Sequence, residues 1–267
     1  MDPVTKLIVQ ARVSLLFNKA FFGTLATRLA LVECTWCKTI AVDGRHLFYN
    51  REWIKSLTEK ELTFVLCHEV LHLVYDHLGR RDGRNKKVWD AATDYVINAT
   101  LIHERVGDMP KGGLYDSRFT YEMSADEVYR MLMDDVEKGK LDPESLSTID
   151  DHLDVGGDSD GKGEGEKGKD GDPRGEGGKN PDGDPDPGKE TGVDYSTKAP
   201  TYTEEDFARL RNESRAAFIN AVQSNQGNAP AHIVRQLNDL VKPTIDWREL
   251  LTKSIQASFK EDYSFNQ

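Results

Sequence analysis

The stretch Leu66-Cys67-His68-Glu69-Val70-Leu71-His72-Leu73-Val74-Tyr75-Asp76-His77 sets two histidines and a glutamate in the middle of an otherwise apolar run. Thr58 with Glu61 forms a capping box ahead of it, so a helix is expected over 59–78, closed by Gly79. Four residues turn an α-helix by about 400°, which stacks His68 and His72 on one face. Burying such groups without partners costs several kcal/mol. The fold must therefore bring a cation or matching polar groups to this face. The spacing lets both imidazoles reach a Zn²⁺ at about 2.0–2.1 Å. Glu69, one residue on, falls beside the metal, where it can take a proton from a zinc-activated water.

The third ligand has to come from elsewhere. His77 lies five residues past His72, about 140° round the helix, and points away unless the helix breaks. A second helix, expected over 87–103, carries Asp94 and Asn98 one turn apart on a shared face. Asp94 is the preferred third ligand, with His77 next and Asp90 and Glu104 behind. Asn98 then sits where it can orient a ligand histidine. His152, in Ile149-Asp-Asp-His-Leu153, has two readings: an oxyanion-binding residue that swings into the cleft, or a solvated side chain at the edge of a linker. Glu69 and His152 are the expected catalytic residues. Cys34-Thr-Trp-Cys37 lacks the second pair that a closed zinc site needs and reads as ordinary thiols.

Residues 154–190 hold 12 Gly, 4 Pro, 12 acidic and 6 basic residues with no aromatic. Such a segment buries too little apolar surface to offset the entropy of ordering it, so it reads as a disordered acidic linker. It carries −6 of the net charge of −11, so the acidity says little about partners. Three parts follow: a first domain over 1–153, the linker over 154–194, and a helical segment over 195–267 that packs on the first domain. The fold class is α+β and mainly helical. Helices are expected over 2–18, 21–31 and 124–139, and after the linker over 203–224, 230–241 and 246–259. Strands over 38–42 and 45–49 meet at the Asp43-Gly44 turn. The balance of charge excludes a general nucleic-acid binder. There is no apolar run long enough for a membrane span and no signal peptide. Three cysteines cannot all pair, and the expected location is the cytoplasm.

Taken together, several pieces carry a family resemblance. They are Phe21-Phe22-Gly23, Val42-Asp43-Gly44, Tyr49-Asn50, His68-Glu-Val-Leu-His72 with His77, Trp89 through Asn98, and Met123-Ser-Ala-Asp-Glu-Val-Tyr129. Near the end, Pro243-Thr-Ile-Asp-Trp-Arg-Glu-Leu-Leu251 adds to them. With these the chain resembles the putative metallopeptidase domains found beside von Willebrand factor A-like domains. The resemblance implies a zincin-like fold and a zinc site. It also implies, by analogy, an AAA-type ATPase or an A-like domain as partner. The function expected is zinc-dependent hydrolysis of peptide bonds, with a protein or peptide as substrate. The alternative is a catalytically silent zinc-binding adaptor that works with an AAA ATPase, and a third reading is a factor that acts by binding alone.

Overall fold

The computed structural model describes residues 2–153, 195–225 and 227–235. The expected linker, the helix over 246–259 and most of that over 230–241 lie outside the described residues. The chain divides into Met1–Pro230 and Ala231–Gln267. In the second unit the described residues, 231–235, are helical. All that follows concerns the first.

Helix α1 (Pro3–Asn18) starts at Asp2, whose carboxylate accepts the Val4 and Thr5 N–H groups, with proline at the first helical position. Helix α2 (Ala20–Arg28) crosses α1 closely at Gly23, where a Cβ would sit 2.4 Å from the Leu16 nitrogen. The expected helix over 21–31 ends earlier than its pattern suggested. Leu29 is extended, and Ala30–Glu33 becomes strand β1, since pairing with a central strand satisfies its backbone better than another half-turn of helix. Strands β2 (Ile40–Val42) and β3 (His46–Tyr49) form the expected antiparallel hairpin. At its turn the Asp43 carboxylate accepts the Arg45 and His46 N–H groups, and Gly44 adopts φ +107°. The sheet order is β1-β3-β2, with β1 parallel to β3.

Helix α3 (Arg51–Ser56) is capped by Asn50. Helix α4 (Glu59–Val74) begins with the capping box of Thr58 and Glu61 and lies at the centre, against α1, α2, β2 and two later helices. Those are α5 (Lys86–His103) and α7 (Glu204–Ser224). Between them in sequence, α6 (Ala125–Glu137) seals the far side of α5 through Val88, Ala92, Val96, Phe119, Val128 and Leu132. No described helix is long and apolar enough to cross a membrane.

Helix α4 does not run to Leu78. It stops at Val74, because Asp76 takes a left-handed conformation at φ +55°. The His77 N–H then donates to the His72 carbonyl and the Asp76 N–H to that of Leu73, the paired bonds of a Schellman closure. Aspartate tolerates this region better than most residues. Here it is also held from outside: Arg211 of α7 clasps the Asp76 carboxylate, its Nε at 2.7 Å.

Candidate metal centre

Three elements converge on the polar face of α4. That helix supplies His68, Glu69 and His72, each at most 2% exposed. Helix α5, packed alongside, supplies Asp94 and Asn98, both fully buried. The third element is the stretch 149–153, which runs along β2: the Asp151 N–H donates to the Ile40 carbonyl at 2.8 Å. The Asp151 side chain turns outward and accepts the Lys38 and Thr39 N–H groups at 2.7 and 3.3 Å. The side chains on either side of Asp151 face the other way. Asp150 and His152 both turn inward, with side chains 2% and 7% exposed.

His68, His72, Asp94 and Asp150 each present one donor atom, all within 4.8 Å of one another. The two imidazole Nε2 atoms are 3.0 Å apart. Asp94 Oδ1 lies 3.6 Å from His68 Nε2 and 3.5 Å from His72 Nε2. Asp150 reaches the same nitrogens at 3.7 Å through Oδ1 and 3.6 Å through Oδ2.

The orientation of the imidazoles is set from behind. Asn98 donates its amide nitrogen to the Leu114 carbonyl at 2.9 Å, which turns its oxygen toward His68 Nδ1, also at 2.9 Å. His68 thus keeps a proton on Nδ1 and turns Nε2 toward the centre. The Schellman closure swings His77 behind His72, with the two Nδ1 atoms 3.4 Å apart. Burial, and then the neighbouring His72, hold His77 well below the usual histidine range, which keeps its ring neutral behind His72. The two Nε2 atoms converge at 3.0 Å, where one cation can take both.

The electrostatics point the same way. Burial works against charge on His68, yet the facing Asp94 and Asp150 hold its pKa well above the ordinary value. Burial lowers that of His72. Asp94 is held well below the carboxylate range: burial opposes this, but His68 and His152 outweigh it. Glu69 is pushed well above its range by burial and then by Asp150. A divalent cation is the largest charge such a site can hold and reverses that push.

Does the donor set suit a metal? Both oxygens of Asp94 and Oδ1 of Asp150 are buried without a hydrogen-bond partner, an arrangement that is costly unless a cation satisfies them. For a tetrahedral ion with bonds of about 2.0–2.1 Å, neighbouring donors lie about 3.3–3.4 Å apart. The imidazole–imidazole and imidazole–carboxylate separations, 3.0 to 3.7 Å, bracket that value. Two imidazoles with carboxylates match a borderline divalent cation. The residues fit.

The structure thus brings His68, His72 and Asp94 together, with Glu69 on the adjoining face of α4. His152 is drawn in rather than solvated. Its Nε2, without a hydrogen-bond partner, lies 3.5 Å from Asp94 Oδ1 and 3.3 Å from Asp150 Oδ2, and its ring packs on His72. Burial opposes its charge, but Asp150 and Asp90 raise its pKa to about 10. His77 stands behind the ligand face, and Asp90 pairs with Lys86. Glu104 caps the C-terminus of α5, away from this group. Sequence reasoning singled out His152 but passed over Asp150. No periodicity marked it: Asp150 lies in a bend of an irregular stretch, where neither the helical nor the strand repeat says which way a side chain faces.

A family model described as "Putative metallopeptidase domain" matches residues 4–267. A Thermotoga maritima protein named "Uncharacterized protein" is 25% identical over 125 residues, covering 40% of this chain and 32% of that protein. The chain thus spans about a third of the length of that curated relative. No solved structure matches. With a match over nearly its whole length, and a buried donor set suited to a metal, the chain belongs to the putative metallopeptidase domain family.

Proposed function

We propose that this protein is a zinc-dependent metallopeptidase that hydrolyses peptide bonds. The observation that carries the reading is the buried convergence of His68, His72 and Asp94 beside an unpaired Glu69 oxygen. Zinc, when bound, supplies a Lewis acid that polarises a carbonyl and brings the pKa of water toward neutrality. The remaining work falls to the chain. His68 and His72 would hold the ion through Nε2, with Asn98 and His77 behind their Nδ1 atoms. Glu69 is the general base: its Oε1 has no hydrogen-bond partner and is free to take a proton and return it to the leaving amine. His152 lies beside these donors in the closed centre, its Nε2 3.5 Å from Asp94 Oδ1 and 3.3 Å from Asp150 Oδ2.

The test compares the zinc-loaded wild type with Glu69→Gln. The variant is expected to keep stoichiometric metal by elemental analysis while cleavage of an unfolded protein falls about 10²–10⁴-fold. Full cleavage by the variant removes Glu69 from the mechanism. A second reading, a zinc-stabilised adaptor, draws on the near-complete burial of all four donors, since closed sites are structural ones. It requires that no chelator-sensitive cleavage occur, in the wild type or in any variant that opens the centre.

A further inference from the structure

A hydrolytic zinc site keeps three protein ligands and leaves one position open. Four donors converge here, so one of them stands where the open position belongs. His68, His72 and Asp94 are poor candidates for displacement: each projects from a long helix, and α4 and α5 pack on each other. Asp150 differs in kind. It sits in an irregular stretch that is docked from its outward side. The bonds there are the Asp151 carboxylate on the Lys38 and Thr39 N–H groups, the Asp151 N–H on the Ile40 carbonyl, and the Thr148 hydroxyl on the Asp150 carbonyl at 2.9 Å. From the α5 side, among the described residues, only Lys86 Nζ reaches the backbone of the stretch, at the His152 carbonyl, 3.5 Å away. Leu153 adds apolar packing against the cluster of Cys34, Cys37, Ala41 and Phe48. Strand β2, which receives this stretch, lies at the edge of the sheet, so the stretch can lift away without breaking a ladder between strands. Glu69 points to the same conclusion. Its buried, unpaired oxygen has nothing to act on while Asp150 fills the centre, and gains a task once it leaves.

We propose that Asp150 is a built-in latch. Its carboxylate takes the fourth position of the metal, and the folded chain is latent until residues 149–153 lift from the edge of β2. The inference rests on the metallopeptidase reading above and adds to it how access to the centre is controlled. Asp151 is the positioning residue: it touches no donor atom of the centre, and it docks the stretch that carries Asp150.

The experiment uses Co²⁺ alone as the metal, azide as a small exogenous ligand, and the visible spectrum of the cobalt as the readout, on the full chain. The wild type is expected to bind one Co²⁺ and to answer azide only weakly. If the latched form makes up about nine-tenths or more of the population, the apparent azide affinity is reduced about tenfold or more. Asp150→Asn and Asp151→Ala are expected to retain Co²⁺ and to bind azide about tenfold or more tightly than the wild type. Asp151→Ala leaves every donor in place, so it carries the test even where a change at Asp150 impairs folding. Equal azide responses in the wild type and Asp151→Ala overturn the latch alone. Failure of Asp150→Asn to hold Co²⁺ while the wild type holds it also overturns the latch, since Asp150 is then a permanent ligand. No Co²⁺ bound by the wild type overturns the metallopeptidase reading and the latch with it.

Discussion

Replacing Asn98 with alanine tests the part of the centre that owes most to packing. The Asn98 amide bridges His68 Nδ1 and the Leu114 carbonyl, both at 2.9 Å, from a fully buried position. Two effects follow from its loss, and they separate experimentally. Without an acceptor on Nδ1, His68 is free to rotate and to place its proton on Nε2, where it blocks the metal. Groups that orient a ligand histidine in this way are worth about 10–100-fold in metal affinity. That is about 1.4–2.8 kcal/mol. Independently of metal, a buried donor and a buried acceptor lose their partner, at about 1–3 kcal/mol each. The assay is competition for Zn²⁺ against a chromophoric chelator, alongside thermal melts with and without metal. Asn98→Asp serves as the control: it keeps an acceptor for Nδ1, so its affinity should stay near the wild type even where its stability falls. An alanine variant that folds and binds Zn²⁺ as tightly as the wild type would refute the argument, because His68 would then be oriented by something else.

Two further expectations concern pH and the closure of α4. In the metal-free protein the raised pKa of His152, about 10, gives a stabilisation that is complete below the usual histidine value and is lost as pH climbs through 10. Asp94, whose pKa is depressed, contributes in the other direction: its share is present above the ordinary carboxylate value and disappears as pH falls. Zinc requires unprotonated imidazoles, so the rise in melting temperature on adding zinc should grow with pH. A zinc shift that shrinks on going alkaline would contradict the ligand assignment. Arg211→Ala removes the clasp on Asp76, a pair with one nearly buried partner and one that is 36% exposed. About 1–2 kcal/mol of stability should go with it after allowance for solvent screening. Backbone amide exchange should rise at Asp76 and His77, and unchanged exchange there would show that the left-handed turn stands by itself.

Much of the fold can be read from residues that act locally. The caps at Asp2, Thr58 and Ser124 mark helix starts that the structure repeats to within a residue or two, because a side chain that accepts an N–H two or three residues on depends on nothing distant. The Asp43-Gly44 turn is legible for the same reason. Strand β1 is not: four residues of mixed pattern next to a helix become a strand only because β3 offers them a partner. The end of α4 is not legible either, since Asp76 takes its left-handed turn in the grip of an arginine 135 residues away.

The same division runs through the centre. Sequence alone determined that His68 and His72 share a face with Glu69 beside them, and that Asp94 and Asn98 lie one turn apart, since helical periodicity follows from covalent geometry and backbone hydrogen bonding. Only the tertiary structure decided that these two faces meet, that His77 stands behind His72, and that Asp150 arrives as a fourth donor. Each of these depends on distant segments packing together, and the free energy of that packing comes from burial summed over the whole core rather than from any local run of residues.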